Sequence, residues 1–337
     1  MSDIATLSLL GYGSRRYFVG RGYLEALGVG VKPRKDELYI RGNFATVDEN
    51  LKILDRRAGR EEFGLDELAR ALRMKIDSTS FRCIHSRGHR CVVIARGQNL
   101  SEKVSDADVG GEKPAVIRAL TKRAEKTALL LNVFADIAHE LLKKHPINKK
   151  RKHKANYILL RGAAKMRRVP SFRKKFKLNA IAIAGVLLIK GIARYIGIDF
   201  LSPKGANGHV NTNLKSKVKA VLRAARKYEL VILHINGADE ASHDKNPKLK
   251  QRFIERVDCE VIGPILENEL DLVVVCDHIT NSRTGEHEYG ATPFLIYSQA
   301  NKFASKARNF SEQACRRSGI EVDDIFRFAM RKLGYIK

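Results

Sequence analysis

The sequence contains no tryptophan, and aromatic residues make up 7% of it. Few positions can therefore stack against bases, which argues against a platform for single-stranded nucleic acid. Its five cysteines, Cys83, Cys91, Cys259, Cys276 and Cys315, form no Cys-x-x-Cys pair. A zinc ribbon and a dense disulfide framework are not indicated, and a reducing cytoplasm is the expected compartment. Long apolar runs are also missing. The longest, Ala180 to Ile189, stops at Lys190, well short of the roughly 20 helical residues that span a bilayer. No basic segment precedes an apolar one in the first ten residues, so neither a secretory signal nor a membrane partner is expected.

Acidic residues are the scarce charge. Asp and Glu number 37 against 63 Lys and Arg, a formal net charge of +26. Such an imbalance points to an anionic partner, and nucleic acid enters as one reading. The basic residues gather at Lys149-Lys-Arg-Lys-His-Lys154, Arg167-Arg168 and Arg173-Lys-Lys-Phe-Lys177. No helix-turn-helix, RNA-recognition or zinc-finger pattern accompanies them, and a solvated face explains such runs equally well.

Metal-type side chains, in contrast, are concentrated. Asp239-x-x-x-His243, Asp277-His278 and His287 fall in the last third of the chain. The first two groups follow the apolar runs Glu229–Asn236 and Leu270–Cys276, which read as buried parallel strands. Ligands in open α/β sheets collect beyond the carboxyl ends of strands. Carboxylate oxygens and imidazole nitrogens together suit Mn, Zn or Fe better than Ca. A capping aspartate or a surface i,i+4 pair accounts for any one of these groups alone. Three groups together favour a two-metal site.

Along the chain, residues 1–30 read as Gly-rich loop with one helical piece near Tyr23–Leu27. Alternation predicts a strand over 37–47, a helix over 65–75 and a second strand region over 82–95. Amphipathic spacing predicts one helix from Pro114 to Lys144. These elements form an expected α+β insertion at 36–150. Residues 1–35 and 151–337 then form a discontinuous core of alternating strands and helices, a doubly wound and mostly parallel sheet. Strands are expected near 155–160, 229–236 and 270–276, a strand and a helix over 180–195, and helices over 214–227 and 246–268.

Several separated motifs, in order, resemble one family. They are Ser2-Asp3-Ile-Ala-x-Leu-Ser-Leu-Leu-Gly-Tyr12, Gly20-Arg-Gly-x-Leu-Glu-Ala26, Arg41-x-Asn-Phe-Ala-Thr-Val47, Asp55-Arg-Arg-Ala-Gly-Arg60, Ala155-Asn156 with Leu160-Arg-Gly162, and Lys190-Gly191-Ile192. With the five ligand-type residues, Thr280 and Pro293, the chain is similar to archaeal-type 2,3-bisphosphoglycerate-independent phosphoglycerate mutases of the alkaline phosphatase superfamily. The resemblance implies an α/β phosphatase-like core whose inserted α+β domain closes over substrate. It implies interconversion of 3- and 2-phosphoglycerate, in glycolysis and gluconeogenesis, through a phosphoserine on Ser2. Two divalent ions are implied, Mn2+ foremost, with Mg2+, Zn2+ and Co2+ as alternatives. Asp239, His243 and His287 would hold one, and Asp277, His278 and Ser2 the other.

Arg21, Arg56, Arg57, Arg60 and Arg161 are the candidates for the substrate's phosphate and carboxylate, because guanidinium groups match both bidentately. Asp55 is a candidate general base, with a helix-start carboxylate or an ion pair to Arg56 as the alternative. Lys190 is a candidate for the transferred phosphoryl, with a lysine snorkelling from a strand end as the alternative. His85, His89 and His234 are read as core or surface histidines.

The resemblance is incomplete. Family members begin with a strand ending in Asp-Gly, which this sequence lacks before Ser2. A start further upstream, a separately encoded N-terminal fragment acting as a partner, and a degenerate homologue are the three expectations this raises. Ser105-Asp-Ala-Asp108 with its following Val-Gly-Gly, and Asn281, also depart from the family pattern. A metal-dependent phosphatase, using water where the mutase uses glycerate, and a catalytically incomplete RNA-associated homologue are the alternative functions.

Overall fold

A computed structural model describes residues 2–300, 307 and 309–336. The chain divides into two units, one made of residues 1–18 and 169–337 and the other of residues 19–168. The division is wider than the expected 36–150 because residues on either side are built into the second unit's sheet and its covering layer.

The first unit opens with α1 (Ser2–Leu9) and α2 (Ser14–Tyr17). The second unit begins with α3 (Arg21–Gly28), followed by β1 (Glu37–Val47), β2 (Ile53–Asp55), α4 (Leu65–Ala71), β3 (Met74–Ile76), β4 (Thr79–Arg87) and β5 (Arg90–Arg96). It closes with α5 (Glu125–Lys144), α6 (Pro146–Lys150) and β6 (Tyr157–Lys165). β1 lies centrally, antiparallel to β5 on one side and β6 on the other. Its residues Leu38, Ile40 and Phe44 face the core, together with Leu65 and Leu68 of α4 and Leu131 and Phe134 of α5. The alternate positions, Tyr39, Arg41 and Asn43, are buried as well. α3 covers that face, where Tyr23 lies 5.4 Å from Tyr39 between ring centroids. A strand covered on both faces reads as a near-continuous buried run, which is the pattern of β1.

Three expectations differ here. The helix predicted over 65–75 ends at Ala71, and Met74–Ile76 forms β3, which pairs with β4. The helix predicted from Pro114 starts at Glu125, because the Asn132 side chain holds both Ile117 N and Ile117 O at 2.9 Å. The segment before it is kept extended by Ser105 N to Arg118 O and Leu120 N to Lys103 O, both 2.9 Å. The strand region over 82–95 is a hairpin of β4 and β5, turning at Gly88, where φ is 55°.

In the first unit, α7 (Phe172–Phe176), β7 (Ala180–Ile183), α8 (Leu187–Ile196), β8 (Asp199–Leu201), α9 (Leu214–Ala225) and β9 (Leu230–Leu233) give a three-stranded parallel sheet in the order β8-β7-β9. Then come α10 (Gly237–His243), α11 (Pro247–Val257), α12 (Gly263–Leu266), β10 (Leu272–Val275), β11 (Ile279–Thr280), β12 (His287–Glu288), β13 (Phe294–Tyr297), α13 (Glu312–Ser318) and α14 (Ile325–Lys332). A π-helical turn, Asp258–Ile262, joins α11 to α12, so the helix expected over 246–268 is present with one irregular turn. β10, expected as a buried parallel strand, pairs antiparallel with β13 and is half-buried. A short apolar run identifies a strand without identifying its partner. Ile181, Ile183, Leu214, Val218 and Val221 form the core of this unit. Among the described residues no helix is long and apolar enough to cross a membrane.

Candidate active site

Local structure explains how the first unit gathers its polar side chains. Gly237 starts α10 where a side chain would strike the Phe253 ring, since a Cβ there would lie 2.5 Å from Cζ. On that helix Asp239 and His243, four residues apart, share a face, with His243 Nε2 3.5 Å from Asp239 Oδ1. The β11–β12 hairpin sets Thr280 opposite His287. Its turn is held by Asn281, whose Oδ1 accepts the Arg283 amide at 2.8 Å. The turn brings the Gly285 carbonyl to His243 Nδ1 at 2.7 Å, which fixes the ring and leaves Nε2 facing Asp239.

These elements converge. One ligand atom each from Asp239, His278 and His287 lies within 4.8 Å of the others. The buried Thr280 hydroxyl donates to Asp239 Oδ1 at 2.8 Å and lies 3.1 Å and 3.2 Å from the Nδ1 atoms of His278 and His287. Those two ring nitrogens face each other at 2.9 Å. On its other edge His278 presents Nε2 to Asp277 Oδ2 at 3.2 Å and to Ser2 Oγ at 3.0 Å. Ser2 is the first residue of α1. Burial pushes the Asp277 carboxyl up, but its hydrogen bond and attraction to His278 outweigh this and hold it below the usual range. The same bond raises His278. His287 is lowered by burial and then by His278. Such convergence of nitrogen and carboxylate oxygen donors suits a transition metal ion.

A cationic cluster occupies the second unit. Glu25 is 5% exposed and Arg41 7%. Glu25 Oε1 accepts from Arg21 Nε at 3.0 Å and lies 3.4 Å from Arg41 Nε. Burial would raise the Glu25 carboxyl, but Arg41, Arg21 and Arg90 together hold it below the usual range. Burial pulls Arg41 down to about 10. His89, at the β4–β5 turn, is pushed down to about 3 by burial and then by Arg90, Arg57, Arg41 and Arg60. Arg161 stands opposite Arg41 on the neighbouring strand and shares Asp108 with Arg56.

The comparisons with known proteins bear on what these two clusters are. A family model described as 2,3-bisphosphoglycerate-independent phosphoglycerate mutase matches residues 1–148. The Archaeoglobus fulgidus protein named 2,3-bisphosphoglycerate-independent phosphoglycerate mutase 1 is 39% identical over 335 residues, covering 95% of this chain and 81% of that protein. The mutase of Thermococcus kodakarensis is also 39% identical, over 95% of this chain and 80% of its own length. The chain belongs to the 2,3-bisphosphoglycerate-independent phosphoglycerate mutase family. Two solved structures agree with this mutase fold. The PH0037 protein from Pyrococcus horikoshii superposes with a TM-score of 0.79 at 30% identity, covering 100% of this chain and 84% of that one. The cofactor-independent phosphoglycerate mutase from Thermoplasma acidophilum gives 0.65 at 26% identity, covering 99% and 87%.

Within this family member, the structure brings Ser2, Asp239, His243, Asp277, His278 and His287 into one network. The closest set joins His278 to Asp239 and His287, so the two expected trios interlock. Lys190 lies in the first turn of α8 and not at a strand end. Arg21 and Arg161 lie near Arg41, Arg21 and Arg57 near Arg90, and Arg57 and Arg60 near His89. Arg56 is engaged by Asp108 and by the Gly111 carbonyl. The Asp55 carboxylate accepts the amides of Arg57 at 2.7 Å and Gly59 at 2.8 Å. It thereby ties down a loop in which Ala58, Gly59 and Arg60 all have positive φ, and it forms no ion pair with Arg56. Asp106 and Asp108, where the sequence departs from the family pattern, hold the Gly162 amide and the Arg56 and Arg161 guanidiniums. Arg41, Arg90, Glu25 and His89 join the cationic cluster without having been candidates in the sequence. The available signal for Arg41 was an arginine in the middle of a strand whose flanking positions, Ile40 and Phe44, are apolar.

Proposed function

We infer that this chain interconverts 3-phosphoglycerate and 2-phosphoglycerate through a phosphoserine on Ser2, with two divalent metal ions. The observation that carries this reading is the Ser2 hydroxyl, 3.0 Å from His278 Nε2 at the edge of the Asp/His cluster. The donor set fits a metal, since two imidazole nitrogens face each other at 2.9 Å beside the Asp239 carboxylate. Asp239, His243 and His287 would hold one ion, and Asp277, His278 and Ser2 the other. Mn2+ suits these oxygens and nitrogens, with Mg2+, Zn2+ and Co2+ as competitors. Bound ions supply Lewis acidity that lowers the hydroxyl pKa and neutralises phosphoryl charge.

The rest is the work of the chain itself. The Ser2 oxygen forms a bond to phosphorus as the bond to the glycerate 3-oxygen breaks, and that oxygen takes up a proton. The 2-hydroxyl then attacks the phosphoserine, surrenders its proton and restores the Ser2 hydroxyl. Standing at the N-terminus of α1, Ser2 places the phosphoryl where free backbone amides and the helix dipole favour negative charge. His243 is oriented by the Gly285 carbonyl, and Thr280 orients Asp239, His278 and His287, the kind of supporting bonds that fix ligands. Arg21, Arg57, Arg60 and Arg161, with Arg41 and Arg90, supply guanidiniums for carboxylate and phosphate. Lys190 is assigned to the transferred phosphoryl. Asp55 is assigned to shaping the arginine-bearing loop.

Incubation with 3-phosphoglycerate and Mn2+, followed by an enolase-coupled assay, is expected to show 2-phosphoglycerate forming, and a chelator is expected to abolish it. Release of inorganic phosphate without 2-phosphoglycerate would replace this reading with the phosphatase one.

A further inference from the structure

The second unit contains a groove of about 810 Å3 to which the proposed reaction gives no role. Six cationic side chains line it, Lys32, Arg34, Arg73, Lys75, Arg82 and Arg96, and none belongs to the arginine cluster described above. Cross-strand pairing builds it: Arg82 stands opposite Ile94, and Ser80 opposite Arg96. Arg82 is 46% exposed and Arg96 51% at their side chains. The lining includes one carboxylate, Glu37. It is already engaged, accepting the Tyr39 hydroxyl at 2.6 Å and lying 3.4 Å from Arg82 Nη2. Arg96 is paired outside the lining, with Asp36 at 2.7 Å. Lys32, Arg34, Arg73 and Lys75 form no ion pair among the described residues.

Cations gathered around a concavity repel one another, and the low-dielectric walls focus their field on whatever enters. An anion of multiple charge relieves that repulsion. The lining adds a second requirement. Val29, Val31, Met74 and Ile84 make an apolar part of the lining that a bare inorganic anion would leave uncovered. Its volume lies within the range of small-molecule sites. We propose that this groove binds a nucleoside polyphosphate, with its phosphates against Arg34, Arg73, Lys75 and Arg82 and its base and sugar over the apolar part of the lining.

The test is calorimetric titration of the full chain with ATP, inorganic triphosphate and adenosine, keeping divalent cation in excess of the phosphates. ATP is expected to bind more tightly than triphosphate, adenosine weakly, and saturating 3-phosphoglycerate is expected not to displace ATP. R73A/K75A should weaken ATP binding by about tenfold or more, as expected when charge-assisted hydrogen bonds are lost. R73E/K75E should abolish it, and both variants should keep the parent kcat and KM for phosphoglycerate. Unchanged affinity in both variants would overturn the proposal. So would displacement by 3-phosphoglycerate, triphosphate binding as tightly as ATP, or an oligonucleotide that displaces ATP at lower concentration.

Discussion

Thr280→Val tests whether the Thr280 hydroxyl organises the Asp/His cluster. The substitution keeps the side-chain shape and removes one oxygen, whose residue is 6% exposed. That oxygen contacts Asp239 at 2.8 Å, His278 at 3.1 Å and His287 at 3.2 Å. A hydroxyl has one proton to donate, here to Asp239. A hydrogen bond to a charged carboxylate contributes about 1.5–2.5 kcal/mol. At 1.4 kcal/mol per factor of ten, this is a roughly 10- to 60-fold weaker metal affinity, within the range for residues that orient metal ligands. The assay is mutase activity titrated against Mn2+. Thr280→Val should shift the activation midpoint upward by that factor, and Thr280→Ser, which keeps the hydroxyl, should restore it. A Thr280→Val midpoint equal to that of the parent, or a serine variant as weak as the valine, would refute the reasoning.

Glu25→Gln leaves the buried Arg41 and its neighbours without their counter-charge, and should cost about 3–5 kcal/mol of stability in urea denaturation. A change below about 1 kcal/mol would show that solvent already screens the cluster. Gly22→Ala should lower stability by about 1–3 kcal/mol or more, because its Cβ would lie 2.3 Å from the Tyr39 carbonyl oxygen and 2.7 Å from that of Gly162. Those contacts are backbone atoms that cannot turn aside, and an unchanged melting temperature would contradict them. His89, with an ordinary pKa of 6.5 pushed to about 3, makes stability depend on acid. The unfolded chain takes up this proton first, so stability is present above about pH 6.5 and falls toward pH 3 by at most ~1.4 kcal/mol per pH unit. His89→Gln should flatten that part of a urea-denaturation series, and an identical slope in the variant would exclude His89 as its source.

Two of the three groups of metal-type residues were legible because each follows a short apolar run, and a strand end is where α/β folds expose chemistry. Their network was less legible. Nothing in the spacing reveals that the β11–β12 hairpin sets His287 beside His278, because that depends on the register between Thr280 and His287. The partner of β10 was hidden for the same reason. Arg41 stood in plain view in the middle of a strand, but its burial follows from α3 covering the second face of the sheet. Periodicity continued the α5 helix back to Pro114, whereas the Asn132 side chain, a tertiary contact, holds that segment extended. Lys190 follows an apolar stretch that contains both β7 and the start of α8, and composition alone does not separate the two.

The most direct test of the account is rapid acid quenching of the chain with 3-phosphoglycerate and Mn2+, followed by peptide mass spectrometry. The account predicts a phosphoryl group on the peptide that contains Ser2, formed and lost with turnover, and absent together with activity in Ser2→Ala. A fully active Ser2→Ala variant, or turnover with the phosphoryl group found on another residue, would contradict it.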